Sequence, residues 1–181
     1  AMLKQNWEIE IKKFTNLSVK QVDSKYDYTS VPDVIISSYE NVKNIPVDIL
    51  PNHITLDESH YIKNMSAKRT KSVHNYINAV KPEYLVCLSG TPITTSVIEF
   101  YSVLKLLSNC GTNGTPIPFK SQYAFNMRFS HQTTRNINVT NRYGNSKNVQ
   151  VQQFTGIKNK EELKSYLRNK YIRRVASKVL N

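Results

Sequence analysis

Leu3, Trp7, Ile11 and Phe14 recur at helical spacing at the head of the chain, with Glu8, Glu10, Lys12 and Lys13 on the other faces. They predict a first helix. Leu17, Val19 and Val22 then alternate as a short strand would. Three later segments share another design, a short apolar burst that ends in small or acidic residues. They are Asp33-Val34-Ile35-Ile36-Ser37-Ser38-Tyr39, His53-Ile54-Thr55-Leu56-Asp57-Glu58 and Tyr84-Leu85-Val86-Cys87-Leu88-Ser89-Gly90. Such runs suit strands buried on both faces, and so predict a parallel sheet.

Helical stripes lie between and after these strands: Val73, Tyr76, Ile77 and Val80; Val97, Tyr101 and Leu104; Leu163, Tyr166, Leu167 and Tyr171. Asn159 and Glu162 are spaced to form a capping box at the start of the last. Alternating strands and helices predict an α/β layered domain. From Asn109 to Gly156 the pattern loosens. Phe119, Tyr123 and Met127 fit one face of a short helix. Ile137 and Val139 before Tyr143-Gly144-Asn145, with Val149 and Val151 after, fit an exposed hairpin. So long a stretch with little core signal is expected to be an insertion, mobile or functional. The expected organisation is a core over 1–110, an insertion over 111–158 and a closing helix over 159–181.

The 181 residues suffice for one domain with a proper core, and 39% apolar with 21% charged residues excludes a disordered polyelectrolyte. No apolar run approaches the ~20 residues of a membrane span, so no membrane partner is expected. Cys87 and Cys110 are too few for a disulfide framework or a four-thiolate zinc site, and a soluble cytoplasmic or nuclear setting is expected. Charge is lopsided. Residues 1–58 carry six basic and nine acidic side chains, residues 59–181 nineteen and four. A basic segment of that kind suits a polyanionic partner; it also suits a merely well-solvated surface.

The candidate chemistry lies at the strand ends, where open parallel sheets bind ligands. Asp57 and Glu58 follow a buried run, and alternation aims them in different directions. Phosphoryl transfer uses two such carboxylates: one holds magnesium through its water shell, the next orients the attacking water. His60 and Ser89 or Thr91 are placed to hydrogen-bond between strand ends. Taken alone, the acidic pair equally suits a cap on the following turn.

The wider sequence resembles the Swi/Snf-type DNA translocases of helicase superfamily two. Asp57-Glu58-Ser59-His60, two residues, then Lys63-Asn64 is close to that family's acidic motif. Leu88-Ser89-Gly90-Thr91-Pro92-Ile93, followed by Glu99-Phe100-Tyr101 and Leu104, is similar to its third motif. Val34 to Glu40 is similar to the segment that touches the DNA backbone. Trp7, with an acidic residue and Phe14 behind it, resembles the helix after the first DNA-contacting loop. Tyr171-Ile172-Arg173-Arg174 resembles the paired arginines that close the first motor lobe. The resemblance spans Leu3 to Leu180 and thins through 111–156.

It implies a RecA-like parallel sheet flanked by helices, a partial first lobe with a loosely structured insertion. It implies ATP with magnesium as cofactor, with duplex DNA and a second RecA-like lobe of the same polypeptide as partners. Asp57 would bind magnesium through water and Glu58 would activate the attacking water. His60, Ser89, Gly90 and Thr91 would couple nucleotide state to DNA grip. Ser37, Ser38 and Tyr39, with Lys63 and Asn64, would lie on the DNA side. Arg173 and Arg174 suit a structural anchor as well as a contact to the second lobe.

Three departures qualify the resemblance. No phosphate-binding Gly-x-Gly-Lys-Thr loop is present; Gly111-Thr112-Asn113-Gly114-Thr115 lacks the lysine. Thr95 stands where the family has Asn. No second lobe with its arginine finger is present. The chain is therefore expected to be inactive alone, since an absent finger lowers the rate by ~10³-fold or more. Ala1-Met2 fits a cloning remnant. Within this reading, bacterial, phage and viral sources all remain open.

Three rivals are weighed against that motor. A DNA-binding module that keeps the motor fold without its chemistry explains the basic half. A hydrolase of Ser89, His60 and Asp57 lacks the Gly-x-Ser-x-Gly elbow. A metal site drawn from Asp57, His60 and His53 or His74 lacks recognisable spacing. Cys87, inside an apolar run, is expected to be a small core residue.

Overall fold

The α1 helix, Met2–Phe14, opens the chain, and strand β1, Val19–Val22, pairs in parallel with β2, Val34–Ser37. A computed structural model describes residues 2–23, 29–90, 97–110 and 117–168. Strand β3, His53–Leu56, pairs in parallel with β4, Tyr84–Cys87, and helix α2, Lys68–Val80, runs between them in sequence. Helix α3 covers Phe100–Ser108 and α4 covers Gln122–Phe129. Strands β5, His131–Thr140, and β6, Ser146–Thr155, form an antiparallel hairpin, and α5 covers Lys160–Leu167. The chain divides into two compact units. The first is Ala1–Pro92 with Glu99–Pro118; the second is Ile93–Ile98 with Phe119–Asn181.

In the first unit the predicted α2 stripe is the keel of the core. Tyr76 and Val80 pack with Val22 and Ile45, and Val73 and Ile77 pack with Leu56, Ile62 and Leu106. One helix thus covers both parallel pairs, because positions three and four apart share a helix face. Parallel pairing is as the sequence indicates, but the described strands form two separate pairs rather than one sheet. Burial on both faces is not observed. Tyr84 and Val86 of β4 are exposed, and among the described residues β4 pairs only with β3. The α1 stripe also differs from expectation. Leu3 and Phe14 are exposed, and Trp7 is 39% exposed, while polar contacts from Lys4 to Asp23 and from Glu8 to Gln21 tie the helix to the β1 region.

The second unit has an aromatic core. Phe119, Phe125 and Phe129 meet edge to face at 5.0–5.4 Å, with Tyr166 of α5 at 6.3 Å from Phe119. The expected Phe119–Tyr123–Met127 face is therefore corrected: Phe125 and Phe129 point inward, and Tyr123 and Met127 outward. Ser121 caps α4 by accepting from the Ala124 N–H at 3.2 Å. The capping box at α5 does not form. Asn159 sits at φ 52°, which turns its side chain away from the helix, and its amide donates to the Arg128 carbonyl. Glu162 pairs instead with Arg128. Where the sequence pattern loosens, the hairpin is regular over ten paired positions.

Candidate functional site

The ends of β3 and β4 are locked together. The Leu88 N–H donates to the Leu56 carbonyl at 2.9 Å and the Ser59 N–H to the Leu88 carbonyl at 2.7 Å. Between those bonds the chain turns sharply at Glu58, which takes the left-handed conformation, φ 48° and ψ 49°. A side-chain-bearing residue adopts that region at a cost of about 1–2 kcal/mol. The turn separates the two carboxylates. Asp57 Oδ1 accepts the Glu58 N–H at 2.9 Å, and Asp57 Oδ2 accepts the Trp7 indole N–H at 2.9 Å. Glu58 instead reaches His60.

His60 Nδ1 lies 3.0 Å from Glu58 Oε2 and 3.2 Å from Ser89 Oγ. One ring nitrogen thus bridges the acidic turn and the end of β4. Tyr39, just past β2, donates its hydroxyl to the Asp57 carbonyl at 2.6 Å. Burial, then the nearby Cys87, Asp57 and Glu58, raises the Tyr39 phenol well above its ordinary value, so it remains a donor. The acidic pair is held from α1, from the end of β2 and from the end of β4.

The turn after the pair rests on a buried relay. Ser102 Oγ on α3 donates to the Ile62 carbonyl at 2.6 Å and faces His74 Nε2 on α2 at 3.1 Å. Since the serine proton goes to Ile62, Nε2 is the protonated nitrogen of His74. Burial, then Lys105, lowers the His74 pKa to about 4, which keeps the ring neutral.

Asp57, Glu58, His60 and Ser89 come together as the sequence indicates, and Tyr39 joins them through the Asp57 backbone. Ser37 and Ser38 are half-buried beside Tyr39, where Ser37 Oγ donates to the Ser38 carbonyl. Gly90 is open, with nothing within 4 Å of where a Cβ would stand. Lys63 pairs with Glu99 at 2.9 Å, and Asn64 Oδ1 accepts the N–H and hydroxyl of Ser66. Thr91, Thr95, Gly111–Thr115, Tyr171, Arg173 and Arg174 lie outside the described residues.

The rival chemistries fare less well. A Ser-His-Asp relay needs the two ring nitrogens to face serine and carboxylate separately. Here Ser89 and Glu58 share Nδ1, and Asp57 faces Trp7. No group of three or more metal-binding side chains occurs among the described residues. His53 faces Thr55 at 2.8 Å and His74 faces Ser102, so neither supports a cluster with Asp57. The Asp57 contact with Trp7 joins residues 50 positions apart and has no periodic signature in the sequence.

Two parallel strand pairs, with an acidic turn at the carboxyl end of β3, define a mixed α/β domain. The profile of the SNF2-related domain matches residues 1–181, and the chain belongs to that family. It is 34% identical over 132 residues to "TATA-binding protein-associated factor BTAF1" of Arabidopsis thaliana, covering 65% of this chain and 6% of that protein. It is 35% identical over 95 residues to the human "TATA-binding protein-associated factor 172", covering 50% and 5%. With "Helicase swr1" of Schizosaccharomyces pombe it shares 29% identity over 147 residues, covering 72% and 11%. The chain thus spans a small fraction of the length of these relatives. No helix among the described residues is long and apolar enough to cross a membrane.

Proposed function

We propose that this domain forms part of an ATP-driven motor that moves on duplex DNA, a RecA-like lobe in which Asp57 and Glu58 serve hydrolysis. The observation that carries the reading is the left-handed turn at Glu58, which aims two adjacent carboxylates at different neighbours. The donor set suits magnesium. Each Asp57 oxygen accepts one hydrogen bond and keeps a lone pair for a hydrated ion, and magnesium typically takes one or two carboxylates with several waters and phosphate oxygens. When bound, the ion would neutralise charge developing on the transferred phosphoryl group.

Glu58 has the role of proton acceptor for the attacking water, with His60 orienting its carboxylate. Because His60 Nδ1 also faces Ser89, a shift at the end of β4 changes the partner available to Glu58. Tyr39 ties that centre to Ser37 and Ser38, the proposed DNA-side segment, through the Asp57 carbonyl. Lys63 and Asn64 contribute to the DNA side indirectly, since Glu99 and Ser66 engage their polar groups. The second lobe of the same polypeptide supplies further phosphate contacts, and this chain alone hydrolyses ATP poorly.

The test is DNA-stimulated hydrolysis by the full polypeptide bearing this domain. Asp57→Asn is expected to lower kcat by at least about 100-fold, as removal of one electrostatic stabiliser does, and to raise the magnesium requirement. Unchanged turnover refutes the assignment. A second reading, a DNA-binding module without chemistry, is favoured by the basic second unit and predicts no hydrolysis in the unsubstituted protein.

A further inference from the structure

Residues 119–168 carry nine basic side chains and two acidic ones. Both acids are taken: Glu162 by Arg128 and Glu161 by Lys164. Between His131 and Thr155 there is no carboxylate, while Arg135, Arg142 and Lys147 are present and exposed. The strand register sorts the hairpin into two unlike faces. Opposed residues share a side, so Arg135, Ile137, Val139, Lys147, Val149 and Val151 fall on one face. The other is almost wholly amide and hydroxyl, including Asn136, Asn138, Asn148, Gln150 and Gln152.

The tip is built rather than loose. Asn141 Oδ1 accepts the N–H groups of Tyr143 and Asn145 at 2.9 and 3.1 Å, and Gly144 supplies the φ of 81° the turn requires. That turn presents Tyr143, 76% exposed, with the Arg142 guanidinium 5.3 Å from its ring centre. Every residue of β5 is exposed, so its surface is available to a partner.

We propose that the β5–β6 hairpin is a duplex-DNA docking surface that enters the major groove, distinct from the segment at Ser37–Tyr39. The inference rests on the reading of duplex DNA as this domain's partner. Uncompensated cations with no carboxylate select a polyanion, because each phosphate neutralised releases condensed counterions. A two-stranded ribbon fits the major groove of B-form DNA. Lys147 stands opposite Val139, four residues from Arg135, so the two cations are ~13 Å apart along the ribbon. The amide face, on the side opposite the cations, carries donors and acceptors of the kind that pair with base edges, and Arg135 and Lys147 serve the phosphates from the other side of the ribbon.

The experiment measures binding of the 181-residue chain to a fluorescein-labelled 30-base-pair DNA duplex by anisotropy across a salt series. Arg135, Arg142 and Lys147 are changed together to Gln, and a charge-matched control changes Lys13, Lys43 and Lys71 to Gln. Thermal melts confirm that both remain folded. The hairpin variant is expected to lose roughly ten-fold or more in affinity near 0.1 M salt, with a salt slope shallower by about 2–3, and the control to lose much less. Equal losses in the two variants overturn the hairpin assignment while leaving the DNA reading intact. An unsubstituted chain that binds no duplex overturns the DNA reading itself. On an RNA duplex, whose deep, narrow major groove side chains cannot read, the two variants are expected to lose equally. A hairpin-specific loss there as large as on DNA contradicts the groove placement.

Discussion

The indole N–H of Trp7 on α1 donates to Asp57 Oδ2 at the end of β3, 2.9 Å away. This bond makes the first helix a support of the carboxylate proposed to hold the magnesium ion. Its donor is also the chain's single tryptophan. Tryptophan emission is therefore a local reporter of the site.

Asp57→Ala is expected to shift the Trp7 emission maximum and increase its quenching by acrylamide. Asp48→Ala, away from that contact, leaves both unchanged. Trp7→Phe removes a charge-assisted donor and is expected to destabilise the domain by about 1 kcal/mol, as a partly exposed bond of this kind does. Emission insensitive to Asp57→Ala contradicts the contact.

Glu58 and Lys81 both hold left-handed backbone conformations, at φ 48° and 45°. Glycine relieves that strain, so Lys81→Gly at the end of α2 is expected to stabilise the domain by ~1 kcal/mol. Glu58→Gly is expected to gain less, because it also gives up the contact with His60. Denaturant titration distinguishes the two. A destabilising Lys81→Gly refutes the strain argument.

His74 gives the fold a defined acid sensitivity. Its folded pKa, about 4, lies below the ordinary histidine value of ~6.5. Between those values the unfolded chain binds a proton that the folded chain does not, so stability falls as pH drops from about 6.5 to 4. The loss is of order 1–3 kcal/mol. His74→Gln, which keeps a donor toward Ser102, is expected to flatten that part of the pH–stability curve. An unchanged slope shows that another group is responsible.

The strands, the α2 stripe and the gathering of Asp57, Glu58, His60 and Ser89 were legible because each follows from local alternation or from position at a strand end. The Trp7 contact was not, since a bond across 50 positions leaves no period. At α4 the sequence offers two largely apolar i, i+4 pairs, Tyr123 with Met127 and Phe125 with Phe129, and only tertiary packing chooses between these faces offset by two residues. Asn159 and Glu162 have the right spacing for a capping box, but Arg128 and the left-handed backbone claim both side chains. The hairpin's polar strands carry little hydrophobic signal, so its paired length of ten residues per strand emerges only from the register.

The most direct test of the central claim is Glu58→Gln in the full polypeptide, with DNA-stimulated ATP hydrolysis and duplex binding measured on the same preparation. The substitution keeps size and hydrogen-bonding capacity but removes the proton acceptor. The account predicts hydrolysis reduced by ~10²-fold or more with duplex affinity within about two-fold of the unsubstituted protein. Hydrolysis that survives Glu58→Gln, or that is lost only in step with DNA binding, contradicts it.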